Sequence, residues 1–174
     1  MFIDEINFPN EVIETIRNNN LVVFAGAGAS VDAPTSLPNF VDLTKKIAEG
    51  TGEILEDNDN CEVFLGYLKS KDIDVNRQAA ELLSNKRLKY NQMHEAIINL
   101  FVDSSSIRIV TTNYDQMFEK VLESRNLHIP VYNAPALPLG NDVEGIVHVH
   151  GNINNPKYIC LLYTSDAADD RISV

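Results

Sequence analysis

The chain has 174 residues, 44% of them hydrophobic and 22% charged, the mixture expected of one globular domain with a core to bury. Its 14 Lys and Arg stand against 25 Asp and Glu, a formal net charge of -11. That balance argues against a broad nucleic-acid-binding face and against docking on an anionic membrane, and leaves room for a small local anion site. No run of 18 apolar residues is present, and Met1 to Asn10 carries Asp4 and Glu5 without a basic flank. Neither a transmembrane helix nor a secretory leader is therefore expected. Cys61 and Cys160 share no close spacing, which excludes a thiolate-only zinc module and a disulfide framework and makes a reducing cytoplasm the expected setting.

Pro9 to Arg17 is predicted to be a helix, with Val12, Ile13 and Ile16 at helical spacing and Asn18-Asn19-Asn20 ending it. Leu21 to Ala25 is a short, nearly continuous apolar run, the pattern of a fully buried strand in a parallel sheet. After Pro38, Phe40, Leu43, Ile47 and Ala48 share a helical face that Gly50 and Gly52 close. Glu53 to Arg87 is polar and mostly helical, and reads as a helical insertion or lid. Asn91 to Val102 is a further helix, broken by Ser104-Ser105-Ser106.

Ile107 to Thr111 is a second buried strand, rich in β-branched residues. A helix follows from Tyr114 to Leu122, then a third strand from Ile129 to Tyr132 and a Pro-containing loop from Asn133 to Gly140. Gly145 to Val149 is the fourth strand, with His150-Gly151 at its carboxyl end. The alternation predicts an α/β fold with a Rossmann-like, mostly parallel sheet flanked by helices. Cys160 to Thr164 fits a short strand, whereas Ser165 to Val174 has no usable periodicity. The string from Cys160 to Asp170 is similar to a translated sequencing-adapter read. The expected organisation is a C-terminally truncated domain over residues 1–159 and an artefactual tail over 160–174.

Four places can carry chemistry. Gly26-Ala27-Gly28-Ala29-Ser30 follows a predicted strand, and its small residues let a backbone turn approach a phosphate or pyrophosphate. The third glycine of a dinucleotide fingerprint falls on Val31 and no Gly-Lys-Ser/Thr follows, so the run is not an ATP-binding P-loop. It also reads as a plain strand-to-helix turn. Pro38-Asn39-Phe40 is a helix entry with Asn39 as its cap, or a segment folded over a nucleotide.

Thr112-Asn113-Tyr114-Asp115 lies where a strand becomes a helix. It reads either as an N-cap by Thr112 or Asn113 or as crevice-lining polar groups. His148 and His150 share a face if their strand persists. His150 suits a general base in the crevice, and His148 suits a hydrogen-bonded core histidine. His94 and His128 lie on other elements without ligand spacing, so no metal site is expected.

In order and spacing, the Gly26 to Ser30 turn, Pro38-Asn39-Phe40, Thr112-Asn113-Tyr114-Asp115 and His150-Gly151 together resemble the sirtuin, or SIR2-like, family. The resemblance implies NAD as substrate and His150 as catalytic base. It implies that Asn113 positions the nicotinamide ribose or a water, and that Asp115 supports the site. Gly26, Ala27, Gly28, Ala29, Ser30, Pro38, Asn39, Phe40 and Thr112 are the implied NAD-binding residues. The deacetylase pattern has an acidic residue where Asn39 stands, an arginine at Val41 and a later cysteine module, and this sequence has none of them. It looks more like the bacterial SIR2-like NAD hydrolases, often antiphage defence effectors fused to a sensor or other partner domain. The expected function is cleavage of the nicotinamide–ribose bond, with a homo-oligomer or fused domain in the full-length protein and an inactive fragment. The alternatives are a protein deacylase and a non-catalytic NAD or ADP-ribose sensor.

Overall fold

The computed structural model describes residues 2–3, 6–7, 9–84, 87–138 and 143–161. A small antiparallel hairpin, β1 (Phe2–Ile3) and β2 (Ile6–Asn7), precedes helix α1 (Asn10–Arg17). The main sheet contains β3 (Val23–Ala25), β4 (Arg108–Thr111), β5 (Val131–Asn133) and β6 (Gly145–His148). Its order is β3-β4-β6-β5 and all three pairings are parallel, so the expected α/β, mostly parallel architecture is present.

The register places residues in rows across the sheet. Val23, Ile109, Ile146 and Val131 form one row, and Ala25, Thr111, His148 and Asn133 form the row at the carboxyl ends. Side chains alternate along a strand, so these two rows share a face. On that face Ala25, Ile109 and Ile146 pack in one cluster with Ile98 of α5 (Gln92–Ile98) and with Phe118, Val121 and Leu122 of α6 (Met117–Ser124).

Phe24 lies in the opposite row, beside Val110, and is 79% exposed, with Val22 exposed next to it. The reading of Leu21 to Ala25 as a fully buried strand is therefore corrected. β3 is an edge strand among the described residues, and of its three residues only Ala25 is fully buried. An apolar run has the same composition at a sheet edge as at its centre.

The polar helical stretch forms α3 (Cys61–Ser70) and α4 (Val75–Leu83), which pack with α2 (Phe40–Ala48) around Ile47, Leu65, Leu68 and Ala79. Each of the three begins at a side-chain cap: Asn39 accepts from Asp42 N–H, Asn60 from Glu62 and Val63 N–H, and Asp74 from Arg77 N–H. Helix α5 stops at Ile98, short of the expected Val102, and α6 starts at Met117, three residues later than expected. The fourth strand ends at His148, and Val149 and His150 lie in a turn. Cys160 and Leu161 are not in a strand, and the rest of the expected segment 160–164 lies outside the described residues, as does 165–174.

Candidate active site at the carboxyl ends of the strands

The segments after β3, β4 and β6 converge beyond the carboxyl ends of the sheet, where an open α/β fold forms its ligand crevice. A cavity of about 210 Å³ lies there. Ala27 and Ser30 reach it from the turn after β3, Pro38, Asn39 and Phe40 from the entry to α2, Thr112, Asn113 and Asp115 from the segment after β4, and His150 from the turn after β6. Gly26, the N-cap of the short 3-10 turn Ala27–Ser30, and Gly28 and Ala29 within that turn do not line the cavity. The helical insertion contributes Glu62 and Leu83, and Cys160 and Leu161 complete one wall. Glu62 and Asp115 supply lining carboxylates, and no Lys or Arg is among the described lining residues.

Neither Thr112 nor Asn113 caps α6. The N-cap position is Gln116, whose side chain makes no cap bond, and Asp115 Oδ1, one residue before it, accepts the Met117 N–H at 3.0 Å. Its other oxygen, Oδ2, accepts from the Ser30 hydroxyl at 2.9 Å. Ser30 Oγ also meets His94 Nε2 at 3.1 Å and accepts from Asn113 Nδ2 at 3.3 Å. The proton positions follow from chemistry. Asn91 N–H donates to His94 Nδ1 at 3.2 Å, so in the neutral ring the proton sits on Nε2 and donates to Ser30. Ser30 then accepts two hydrogen bonds and donates one, its full capacity. Burial pushes the His94 pKa down against the opposing field of Asp115, in keeping with a neutral imidazole. Burial pushes the Asp115 pKa up, and its hydrogen bonds from Met117 and Ser30 act in the opposite direction.

His94 is fully buried and lies outside the residues singled out from sequence. Its signal is the spacing Asn91-x-x-His94, a reciprocal capping box at the start of α5. Asn91 Nδ2 in addition donates to the carbonyls of Ala29 at 2.9 Å and Asp32 at 3.2 Å, tying α5 to the glycine-containing turn.

Asn113 is held on several sides. Its N–H donates to Thr111 Oγ1 at 3.0 Å, and its carbonyl accepts from His148 Nδ1 at 2.9 Å. Its side-chain Oδ1 is buried and has no hydrogen-bond partner among the described residues. His148 is 0% exposed, as the core reading expects, and lies in a different environment from half-buried His150. The strand does not persist far enough to put the two rings on one face. Gly151, at φ +77°, makes the exit after His150. Cys160 N–H donates to the His150 carbonyl at 2.9 Å, and the Tyr114 hydroxyl donates to the Cys160 carbonyl at 2.8 Å. Burial raises the Tyr114 pKa far above the ordinary phenol range, so this donor keeps its proton.

Residues 107–170 match the family model of the SIR2-like domain. The match takes in Asn113, Asp115, His148 and His150, while the turn at Gly26 to Ser30 and the Pro38-Asn39-Phe40 segment precede it. A SIR2-like domain over these residues is consistent with NAD-related chemistry in general. No curated protein matches the chain. No helix of the described residues is long and apolar enough to cross a membrane.

Proposed function

We propose that the cavity binds NAD and that the chain carries the active site of an NAD hydrolase. The observation that carries this reading is the meeting of Ser30, Asn113, Asp115 and His150 at one cavity, with the buried Asn113 Oδ1 lacking a partner. A buried carbonyl oxygen without a donor is costly, and a ribose hydroxyl or a bound water satisfies it. Lining carboxylates without a basic side chain suit the cationic nicotinamide end of the molecule. The pyrophosphate is assigned to the backbone of Gly26, Ala27, Gly28, Ala29 and Ser30, with Pro38, Asn39, Phe40 and Thr112 bordering the nucleotide.

The reaction breaks the bond between ribose C1′ and the nicotinamide nitrogen. The bond pair leaves with nicotinamide, and C1′ develops oxocarbenium character. Water adds at C1′ and gives its proton to the His150 imidazole, yielding ADP-ribose. Asn113 orients the ribose hydroxyls or the water, and Asp115 fixes Ser30 and the first turn of α6. General-base help of this kind is worth about 10²–10⁴ in rate.

The test is nicotinamide release from NAD by the full-length protein, with binding followed by calorimetry. His150→Ala is expected to lower turnover by about 10²-fold or more with NAD binding kept. Binding without release in an activated wild type moves the reading to a nucleotide sensor. Release that requires an acylated peptide moves it to a deacylase. A cytoplasmic defence effector, joined to a sensor domain or acting as a homo-oligomer, is the setting proposed with the hydrolase. The division into a domain over 1–159 and a foreign tail over 160–174 is likewise proposed; the family match running to residue 170 and the cavity wall formed by Cys160 and Leu161 stand against a break at 160, and sequencing the gene across codon 160 tests it.

A further inference from the structure

His148 makes two hydrogen bonds. Its Nδ1 lies 2.9 Å from the Asn113 main-chain oxygen, and its Nε2 lies 2.7 Å from Glu119 Oε1 on α6. The ring is 0% exposed and the Glu119 side chain 11% exposed. A carbonyl oxygen can only accept, so Nδ1 carries a proton. The second bond then holds one more proton, on Nε2 beside a carboxylate or on Glu119 beside a neutral ring. In both forms the pair fixes the ring plane and the Nδ1–H points at Asn113.

An ion pair is a poor choice for stability alone. Desolvating both partners is expensive, and an apolar pair of the same volume often serves as well or better. The arrangement is better explained by what it holds. Asn113 donates its N–H to Thr111 Oγ1 and its Nδ2–H to Ser30 Oγ, and its carbonyl accepts from His148. With those three groups tied, the direction of Oδ1 is set, and Oδ1 is the one polar group of Asn113 without a partner among the described residues.

We propose that His148 and Glu119 are a positioning pair, holding the Asn113 main chain so that the Asn113 side-chain oxygen meets the substrate in one orientation. The catalytic consequence rests on the NAD-hydrolase reading above, whereas the effect on Asn113 stands without it.

The test uses the full-length protein with His148→Phe, which keeps a ring but removes the donor. Glu119→Ala is the second variant and carries the same expectation if His148→Phe does not fold. Turnover is expected to fall about 10- to 100-fold, as for a misplaced reacting group. The NAD dissociation constant should stay within about threefold, since the loss is in orientation rather than in contacts. Glu119→Gln should retain most of the turnover, because a neutral His148 still donates to the Asn113 carbonyl while the amide donates to Nε2. In an Asn113→Ala background, His148→Phe should lower turnover no further, a result that general loss of stability would not produce.

Undiminished turnover in folded His148→Phe or Glu119→Ala overturns the proposal. So does an equal loss in the Asn113→Ala background. Nitrogen-15 NMR of the Asn113 side-chain amide separates this outcome from failure of the hydrolase reading. If the activated wild type releases no nicotinamide, a moved or broadened Asn113 signal in His148→Phe still supports the pair. Superimposable signals overturn it.

Discussion

Ser30, in the turn after β3, donates its hydroxyl proton to Asp115 Oδ2 at 2.9 Å, joining two buried residues 85 positions apart in the chain. The same hydroxyl oxygen accepts from His94 and Asn113, so one small side chain ties together the β3 turn, α5 and the segment before α6. Ser30→Ala strips partners from His94, Asp115 and Asn113 together. The expected loss is about 1–3 kcal/mol of stability, from buried polar groups left unsatisfied. Urea unfolding measures it, and an unchanged midpoint would show that the network is not holding these elements.

The two buried histidines give opposite pH dependences. His94 has a pKa lowered by burial, with Asp115 opposing. Between its folded value and the ordinary value near 6.5, the unfolded chain binds more protons, so stability is lost as pH falls through that window. For His148, burial pushes the pKa down, but the Glu119 carboxylate and the Asn113 carbonyl outweigh it and the net shift is up. Its contribution is fully present below about 6.5 and is lost as pH rises through the folded value. Unfolding followed from pH 5 to about 9 should show the alkaline loss in the wild type and not in His148→Phe. The acid-side loss should persist in His148→Phe. The reverse pattern would reassign the two rings.

Much of the fold was legible because strand composition and helix caps are local. The runs containing Val23, Ile109 and Ile146 are apolar and short, and Asn39 stands one residue before a helical apolar face. What was not legible depends on neighbours remote in sequence. Nothing in Leu21 to Ala25 says that Phe24 faces solvent, since exposure depends on which strands lie on either side. The site motifs were legible as small and polar residues at strand ends. The pairing of His148 with Glu119 was not, because 29 residues and a whole helix separate the two. His94 offers no metal-ligand spacing in the sequence, and its place beside Ser30 depends on a residue 64 positions away.

Phe24 is the clearest exposed liability. It is 79% exposed on an edge strand, and edge strands with apolar side chains invite pairing with another chain. Phe24→Lys removes no buried contact, so the melting temperature should change little, within about 0.5 kcal/mol of stability. Self-association measured by light scattering should fall. A large loss of stability would mean that Phe24 is covered in solution.

Gly151→Ala should damage the fold near His150. The residue sits at φ +77°, and an added Cβ would lie 2.2 Å from the Tyr158 carbonyl oxygen and 2.8 Å from its carbon. The obstacle is backbone, so the segment Pro156–Tyr158 would have to shift. That segment leads into Cys160, whose N–H holds the His150 carbonyl. Strain of this kind costs about 1–3 kcal/mol, and the melting temperature reads it directly. A Gly151→Ala protein that melts like the wild type would mean the loop has room to relax.

Gly28→Ala is the contrasting case and separates binding from folding. Gly28 is not at positive φ, and a Cβ built on it meets nothing within 4 Å. The methyl group therefore costs the fold little, and loss of unfolded-chain entropy can even stabilise by about 0.4–1 kcal/mol. Gly28 does not line the cavity, so only a pyrophosphate lying along the outer side of the turn would meet this methyl, which then occupies the space the phosphate oxygens need. NAD affinity should then fall by about tenfold or more, a change of about 1.4 kcal/mol in binding free energy. The decisive pattern is weakened binding by calorimetry in a protein whose melting temperature is unchanged or raised. Unaltered affinity in that folded variant would take Gly28 out of the binding site and leave Ala27 and Ser30 as the turn's contacts with the cavity.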